Sequence, residues 1–472
     1  MAAPALVWFR NDLRTEDHAA LAAAAAHGSV LPVFVLDEAA AGAWAPGGAS
    51  RWWLHHSLTA LTGALARLGA PLILRRGPAE THLAEIAVTA GAAEVHAGEM
   101  PEPWARSQEK RVARALREAG VRLVRHRTAM LFDQDRLTTK SAAPFQVYSA
   151  FARACHAAGG PPPPLPAPAR LDAPAMLPRS DALDGWGLLP AKPDWAGGLR
   201  AAWVPGEAAA RARLDAFLAA LLAGYAAARD RPDADGTSRL SPHLRWGEIS
   251  PATVWHAAAA TPTAGAAKFL GELLWREFSI HLLWHNPALP ERPLRSAFAG
   301  MQWRRDAAAL RAWQQGRTGI PIVDAGMRQL WETGWMHNRV RMIAASFLVK
   351  HLLIDWREGE RWFWDTLVDA DLANNSASWQ WVAGCGADAA PYFRIFNPVL
   401  QARKFDPEGA YIRRFVPELS GLAAPALHAP WEAPPLALQA GGVVLGRTYP
   451  APLVDLVAGR ARALAAFAAA GA

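Results

Sequence analysis

The sequence predicts an α/β domain built on a doubly wound parallel sheet of five strands, followed by a larger all-α domain. Three observations carry this. Five short apolar runs alternate with helix-forming stretches in the first 130 residues, strand-like alternation is absent after residue 206, and 14 of the 22 Trp lie in that second part. The runs at 6–9, 30–36, 72–74, 94–97 and 121–124 have strand length. Between them, 19–27, 52–68, 81–90 and 104–119 combine helical spacing with good helix formers. Strands separated by helices close into a parallel sheet through right-handed crossovers. The first strand runs into Phe9-Arg10-Asn11-Asp12-Leu13-Arg14 rather than a glycine fingerprint, so standard NAD binding is not expected. Residues 131–205 read as a long linker; 159–205 is rich in Pro, Gly and Trp, and such length implies wrapping over another surface. Residues 206–472 form the all-α part, with apolar faces at helical spacing in 207–227, 266–284, 322–333 and 338–353.

Composition narrows the function. With 52% hydrophobic and 19% charged residues, the 472-residue chain is globular rather than disordered. Two cysteines, Cys155 and Cys385, exclude a disulfide framework and a four-thiolate metal site, and fit a reduced intracellular compartment. The start lacks a basic region before its apolar run, which Arg10 and Asp12 interrupt, so no secretory signal is expected. The most apolar window, 342–356, carries Lys350, His351 and Asp355, so no membrane span is expected and the location reads as cytoplasmic. Net charge is +7, and only six of the 49 basic residues are Lys. The excess is spread evenly over the chain, so local Arg placement rather than total charge must locate a nucleic-acid surface.

Four segments carry chemistry. Thr237-Ser238-Arg239-Leu240-Ser241-Pro242 sets hydroxyls before a helix, with Ser241 as expected N-cap, an arrangement suited to phosphate or to a plain capped loop. In Gly271-Glu272-Leu273-Leu274-Trp275-Arg276-Glu277-Phe278, helical spacing places Glu272, Trp275 and Arg276 on one face. That face suits a planar anionic ligand, or a solvated Glu–Arg pair beside a core Trp. Gly334-Trp335-Met336-His337-Asn338-Arg339-Val340-Arg341-Met342 offers two Arg to phosphates or to nearby acids. Asp369-Ala370-Asp371-Leu372-Ala373-Asn374-Asn375-Ser376-Ala377-Ser378-Trp379-Gln380-Trp381 reads as a polar ligand-contacting loop. It lacks the His or third carboxylate a metal would need. Pro391-Tyr392-Phe393-Arg394 follows it.

Together and in this order, these segments and the opening Trp8-Phe9-Arg10-Asn11-Asp12-Leu13-Arg14 resemble the DNA photolyase/cryptochrome family over essentially the whole chain. The resemblance implies a non-covalent FAD in the helical domain and an antenna chromophore in the α/β domain. Tyr225, Thr237, Ser238, Leu240 and Ser241 would hold the FAD phosphates; Arg276, Asn338, Arg341, Asp369, Asp371 and Asn375 would surround its rings and ribose, with Asn375 beside flavin N5 and Arg341 paired with Asp369. The implied reaction is a light-driven carbon–carbon bond cleavage, in which excited reduced flavin lends an electron to a cyclobutane pyrimidine dimer flipped out of DNA. Glu272 would bond the dimer carbonyl, Trp275 and Trp381 would flank its bases, and Met342 would complete the wall. Arg229, Arg339, Arg394 and Arg403 or Lys404 would hold backbone phosphates. Trp379, Trp356 and Trp303 would relay electrons from the surface to the flavin; apart from these and the two dimer-flanking residues, the Trp, including Trp255, Trp284 and Trp313, would be packing.

Within the family, Met342 replaces the second His of six-four photolyases, and Asn375 and Glu272 differ from plant-type cryptochromes. Helical sequence to Ala472 leaves no long signalling tail. The expectation is a class I cyclobutane dimer photolyase acting as a monomer on ultraviolet-damaged DNA; a blue-light photoreceptor without repair is the alternative. Ala105 and Pro290-Glu291 stand where folate-binding relatives have Glu and Cys-Lys, whereas Glu102-Pro103-x-x-Arg106 resembles the deazaflavin pattern, so a deazaflavin antenna is favoured over folate.

Overall fold

Residues 3–389 and 393–470 are described in a computed structural model; Pro391 and Tyr392 of the sequence motif lie outside them. The chain divides into two compact units. The first comprises Met1–Ala223, Ser238–Pro287 and Val368–Ala373, the second Gly224–Thr237, Ala288–Leu367 and Asn374–Ala472.

In the first unit the predicted sheet forms from β1 (Ala5–Phe9), β2 (Val30–Leu36), β3 (Ile73–Arg76), β4 (Glu94–Gly98) and β5 (Arg122–His126). All pairs are parallel, in the order β3-β2-β1-β4-β5, with Ala5 opposite both Val30 and Glu94. The central strands β1 and β2 are buried along their whole length, hence their unbroken apolar runs. Leu6, Trp8, Leu31, Val33 and Val95 share one core with Leu83 and Ile86 of helix Ala79–Ala90 and Val112 and Leu116 of helix Pro103–Glu118. The order reverses at β1, which opens a crevice beyond the carboxyl ends of β1 and β4. Asp12 lies there, accepting from the Arg10 amide at 2.8 Å and the Thr128 hydroxyl at 2.9 Å. Burial opposes its charge, but His18, the Arg10 amide and Arg14 hold its carboxyl well below the usual range.

Three expectations need correction. The 207–227 helix breaks at Leu221, giving Glu207–Ala220 and a short turn Tyr225–Ala228. The 338–353 helix ends at Ser346 and widens into a π turn, Phe347–His351. The supposed loop at 369–381 is mostly a helix, Leu372–Ala383. Its short polar side chains would compete with the helix backbone if left alone, but here they bond elsewhere. Ser376 donates to Glu360, and the Gln380 amide to the carbonyls of Leu289 and Arg292 at 2.6 and 2.7 Å.

Candidate cofactor and DNA site

In the first unit, Ser238, Leu240 and Ser241 enter a five-residue helix, Ser241–Arg245, whose cap is Leu240 rather than the expected Ser241. Arg239 takes φ +49°, a left-handed conformation that turns the chain between the two serines. The helix is anchored by His243, 2.5 Å from Glu248, which also accepts from Trp53 Nε1 and the Gly206 amide. Its last residues grip the aspartate segment: Arg245 Nε donates to the Ala370 carbonyl, and Trp246 Nε1 to that of Val368 at 3.1 Å. Asp369 is thereby buried and Asp371 half-buried. Arg245 and Trp246 were missed from the sequence, although they follow the serine motif directly.

Helix Ala264–His285 carries Glu272, Trp275 and Arg276. Trp275 lies flat on Tyr148, with ring centroids 3.6 Å apart and planes within 5°, so one indole face is covered while the residue stays half-exposed. The Tyr148 hydroxyl donates to the Gly271 carbonyl at 2.7 Å, and burial with nearby Glu272 pushes its pKa up to about 12. Glu272 stands 3.4 Å from Lys268, one turn back. Arg276 donates to the Ala129 carbonyl at 3.1 Å. The inward acid of the motif is Glu277, fully buried, accepting from the amides of Leu131 and Phe132 and from Gln134. The motif therefore divides into an outer Glu272–Trp275 face and an inner structural latch. Tyr148, the backing of that face, had no signal in the sequence.

In the second unit, His337 caps helix Asn338–Ser346 by accepting from the Arg339 amide at 3.2 Å. Burial, with Arg339, Arg341 and Arg229 adding repulsion against the pull of Asp230, depresses its pKa to about 4. Arg339 pairs with Asp230 at 3.0 Å and lies over the Phe405 ring, so it uses an acid partner as the structural reading allowed. Its guanidinium is 3.8 Å from Met342 Sδ. Arg341 Nε donates to the Met336 carbonyl; Asn338 is exposed, Arg229 half-buried and Tyr225 buried. Arg403 and Arg394 are exposed, with Arg403 3.7 Å from Glu432.

The Asn375 amide donates to the Glu360 carbonyl at 3.0 Å, leaving its oxygen as the acceptor end. Trp379 meets Phe363 and the fully buried Trp313 edge-on at 5.0 and 6.2 Å. Trp379 and Trp356 are buried and Trp303 half-exposed, an inside-to-surface gradient. Trp381 Nε1 donates to the Asp388 carbonyl and, with Arg394 and Lys350, lines a small open recess.

Of the residues that the sequence reading assigned to the cofactor, Ser238, Leu240, Ser241, Arg276, Asp369 and Asp371 belong to the first unit and Tyr225, Thr237, Asn338, Arg341 and Asn375 to the second. Hydroxyls, guanidinium groups, carboxylates and an amide match the phosphates, ribose hydroxyls and ring edge of a flavin dinucleotide. Among the described residues, buried Arg245 finds no hydrogen-bond partner for Nη1, a cationic donor of the kind phosphate or ribose oxygens satisfy, in the unit that holds the serines and aspartates. The antenna motif is engaged within its own unit: Glu102 is buried, and Arg106 donates to the Trp284 carbonyl and lies 4.1 Å over its ring.

The profile described as DNA photolyase matches residues 5–169, and that described as the FAD binding domain of DNA photolyase matches 269–469. A deoxyribodipyrimidine photo-lyase of Agrobacterium fabrum is 50% identical over 99% of this chain and 98% of its own. Cryptochrome-1 of Arabidopsis thaliana is 36% identical over 97% of this chain and 69% of its own. The crystal structure of a bacterial class III photolyase from Agrobacterium tumefaciens superposes with a TM-score of 0.96 at 49% identity, covering 100% of this chain and 98% of that one. Among the described residues, no helix is long and apolar enough to cross a membrane. Fold, profile matches and whole-length identity agree: the chain belongs to the DNA photolyase family.

Proposed function

We propose that this protein repairs cyclobutane pyrimidine dimers in ultraviolet-damaged DNA by light-driven electron transfer from FAD. The observation that carries the reading is the half-exposed Trp275, braced on Tyr148, with Glu272 one turn away on the same helix face. That face offers an aromatic wall and a carboxyl group to a base outside the helical stack. Bound FAD, fully reduced and excited, supplies the electron that opens the cyclobutane ring.

The chain's own groups do the rest. Trp275 and Trp381 stack on the flipped bases and Met342 closes the wall, while Glu272 bonds the dimer carbonyl where negative charge develops. Asn375, its amide held by the Glu360 carbonyl, presents oxygen to flavin N5. Tyr225, Thr237, Ser238, Leu240 and Ser241 hold the phosphates; Arg276, Asn338, Arg341, Asp369 and Asp371 hold the rings and ribose. Arg229, Arg339, Arg394 and Arg403 take DNA phosphates, which position the strand without reading sequence. Trp303, Trp356 and Trp379 would relay electrons toward the bound flavin.

Class III is the better-supported class, replacing the expected class I, because the likeness to a class III structure spans both chains. Met342 and Asn375 separate dimer repair from six-four and cryptochrome types but not one bacterial class from another. The α/β part, 1–130, is proposed to carry a second light-harvesting chromophore, a deazaflavin rather than folate, with 131–205 as linker and 206–472 holding FAD. The protein acts as a monomer in the cytoplasm. Blue light on the reduced protein should remove dimers from irradiated DNA; survival of the dimers under saturating light, with the flavin shown to be reduced, refutes repair and leaves the photoreceptor alternative.

A further inference from the structure

Glu360 is a buried acid to which neither cofactor nor DNA binding gives a part, only 1% exposed on helix Trp356–Thr366. It lies one turn beyond Trp356, and the residue before it, Gly359, presses on the Trp379 ring. Its Oε1 accepts from the Ser376 hydroxyl at 2.5 Å, and its carbonyl accepts from the Asn375 amide at 3.0 Å. The carboxyl thus bonds the residue after Asn375, the side chain assigned to flavin N5, and is carried on the helix that opens with Trp356 and approaches the Trp379 ring at Gly359.

No cation bonds it. On its own helix, Arg357 is spent on Asp355 and the Glu291 carbonyl, and Arg361 on Glu358. From helix Leu372–Ala383 the carboxyl meets uncharged Ser376, and its backbone carbonyl meets uncharged Asn375. From the π turn Phe347–His351, which packs on the same helix, come Lys350 and His351, both shifted toward the neutral form by burial. Burial outweighs the Ser376 hydrogen bond and the distant Arg357 and Arg361, and pushes the Glu360 carboxyl up to about 8.

We propose that Glu360 is the proton donor that accompanies each electron passed inward by Trp379. The inference rests on the flavin and Trp relay of the proposed function. When Trp379 gives one electron to the flavin, the Glu360 O–H bond breaks, its electron pair stays on the carboxylate, and the proton goes to the flavin edge that Asn375 faces. One electron and one proton thus leave the protein for the flavin, and the protein keeps a positive Trp379 indole and a negative Glu360 carboxylate. The negative charge thereby comes to rest on the carboxylate, bonded by Ser376, instead of on the flavin. As the positive charge moves out through Trp356 to Trp303, where a soluble thiol reductant fills it with one electron, the carboxylate recovers a proton from solvent.

Infrared difference spectra of the FAD-loaded chain test this with wild type, Glu360→Gln, Glu360→Asp and Trp379→Phe. In the dark, a protonated-carboxyl band should vanish as pH rises through about 8 in wild type and be absent from Glu360→Gln. Illumination at pH 7 should bleach that band in wild type but not in Trp379→Phe. Flavin protonation should slow about 100-fold in Glu360→Gln and recover in part in Glu360→Asp. Glutamine has the same shape and still accepts from Ser376, so folding is preserved. A wild-type band that does not bleach, or Glu360→Gln protonating the flavin at wild-type speed while Trp379→Phe is disabled, overturns the role of Glu360 alone. Trp379→Phe photoreducing as fast as wild type overturns the relay itself.

Discussion

Gly359→Ala tests directly whether Trp379 sits where the relay requires it. A methyl on Gly359 would fall 2.0, 2.5 and 2.6 Å from Cη2, Cζ3 and Cζ2 of Trp379. Carbon atoms in contact sit about 3.5 Å apart, so the indole must retreat by about 1.5 Å. Phe363 and Trp313 already border the ring. Overpacking of this kind costs about 1–3 kcal/mol, against about 1 kcal/mol that the helix gains from Ala in place of Gly. The net expectation is a loss of about 0–2 kcal/mol and slower flavin photoreduction. In a Trp379→Phe background the crowded ring atoms are gone, and the same substitution should be neutral or stabilising. Denaturant unfolding of the four proteins in a double-mutant cycle reads the difference, a coupling of about 1–3 kcal/mol. Equal stabilisation of about 1 kcal/mol by Gly359→Ala in both backgrounds would refute the contact.

Glu272→Ala should lower the quantum yield of repair while FAD stays bound, as flavin absorbance per mole of protein would show; an unchanged yield removes Glu272 from the dimer. Arg339→Ala should weaken DNA binding alike across flanking sequences and reduce the salt slope by about one, and a sequence-dependent loss would count against phosphate contact. His126 and His337, both depressed to about 4, and His281, depressed to about 3, each chiefly by burial, take up protons on unfolding below their ordinary value of 6.5. Their contribution to stability is present above that value and is lost as pH falls toward about 4, so the unfolding midpoint should drop on acidification through this window. A midpoint that holds steady there would show that these rings are not buried in neutral form.

The sheet was legible because β1 and β2 are covered on both faces, so their sequences are apolar throughout and their ends fall where Arg10 and Asp37 begin the next turns. The outer Glu272–Trp275 face was legible because helical spacing alone sets it. What brings Tyr148 under Trp275, or Glu360 against Ser376, is tertiary folding across a large separation, which local pattern does not encode. The same cause explains the misread helix Leu372–Ala383. Its Asn, Ser and Gln side chains look like loop formers until Glu360, Leu289 and Arg292 supply their partners. The π turn at Phe347–His351, where Lys350 reaches the Ala383 carbonyl at 2.8 Å, likewise follows from a distant acceptor rather than from the residues themselves.

The most direct measurement is dimer content in ultraviolet-irradiated DNA after blue light with the reduced, FAD-loaded protein, beside a dark control. Dimers should disappear only in the lit sample, and far more slowly with Glu272→Ala. Dimers remaining at dark-control level under saturating light, with the flavin verified as reduced and bound, would contradict photorepair.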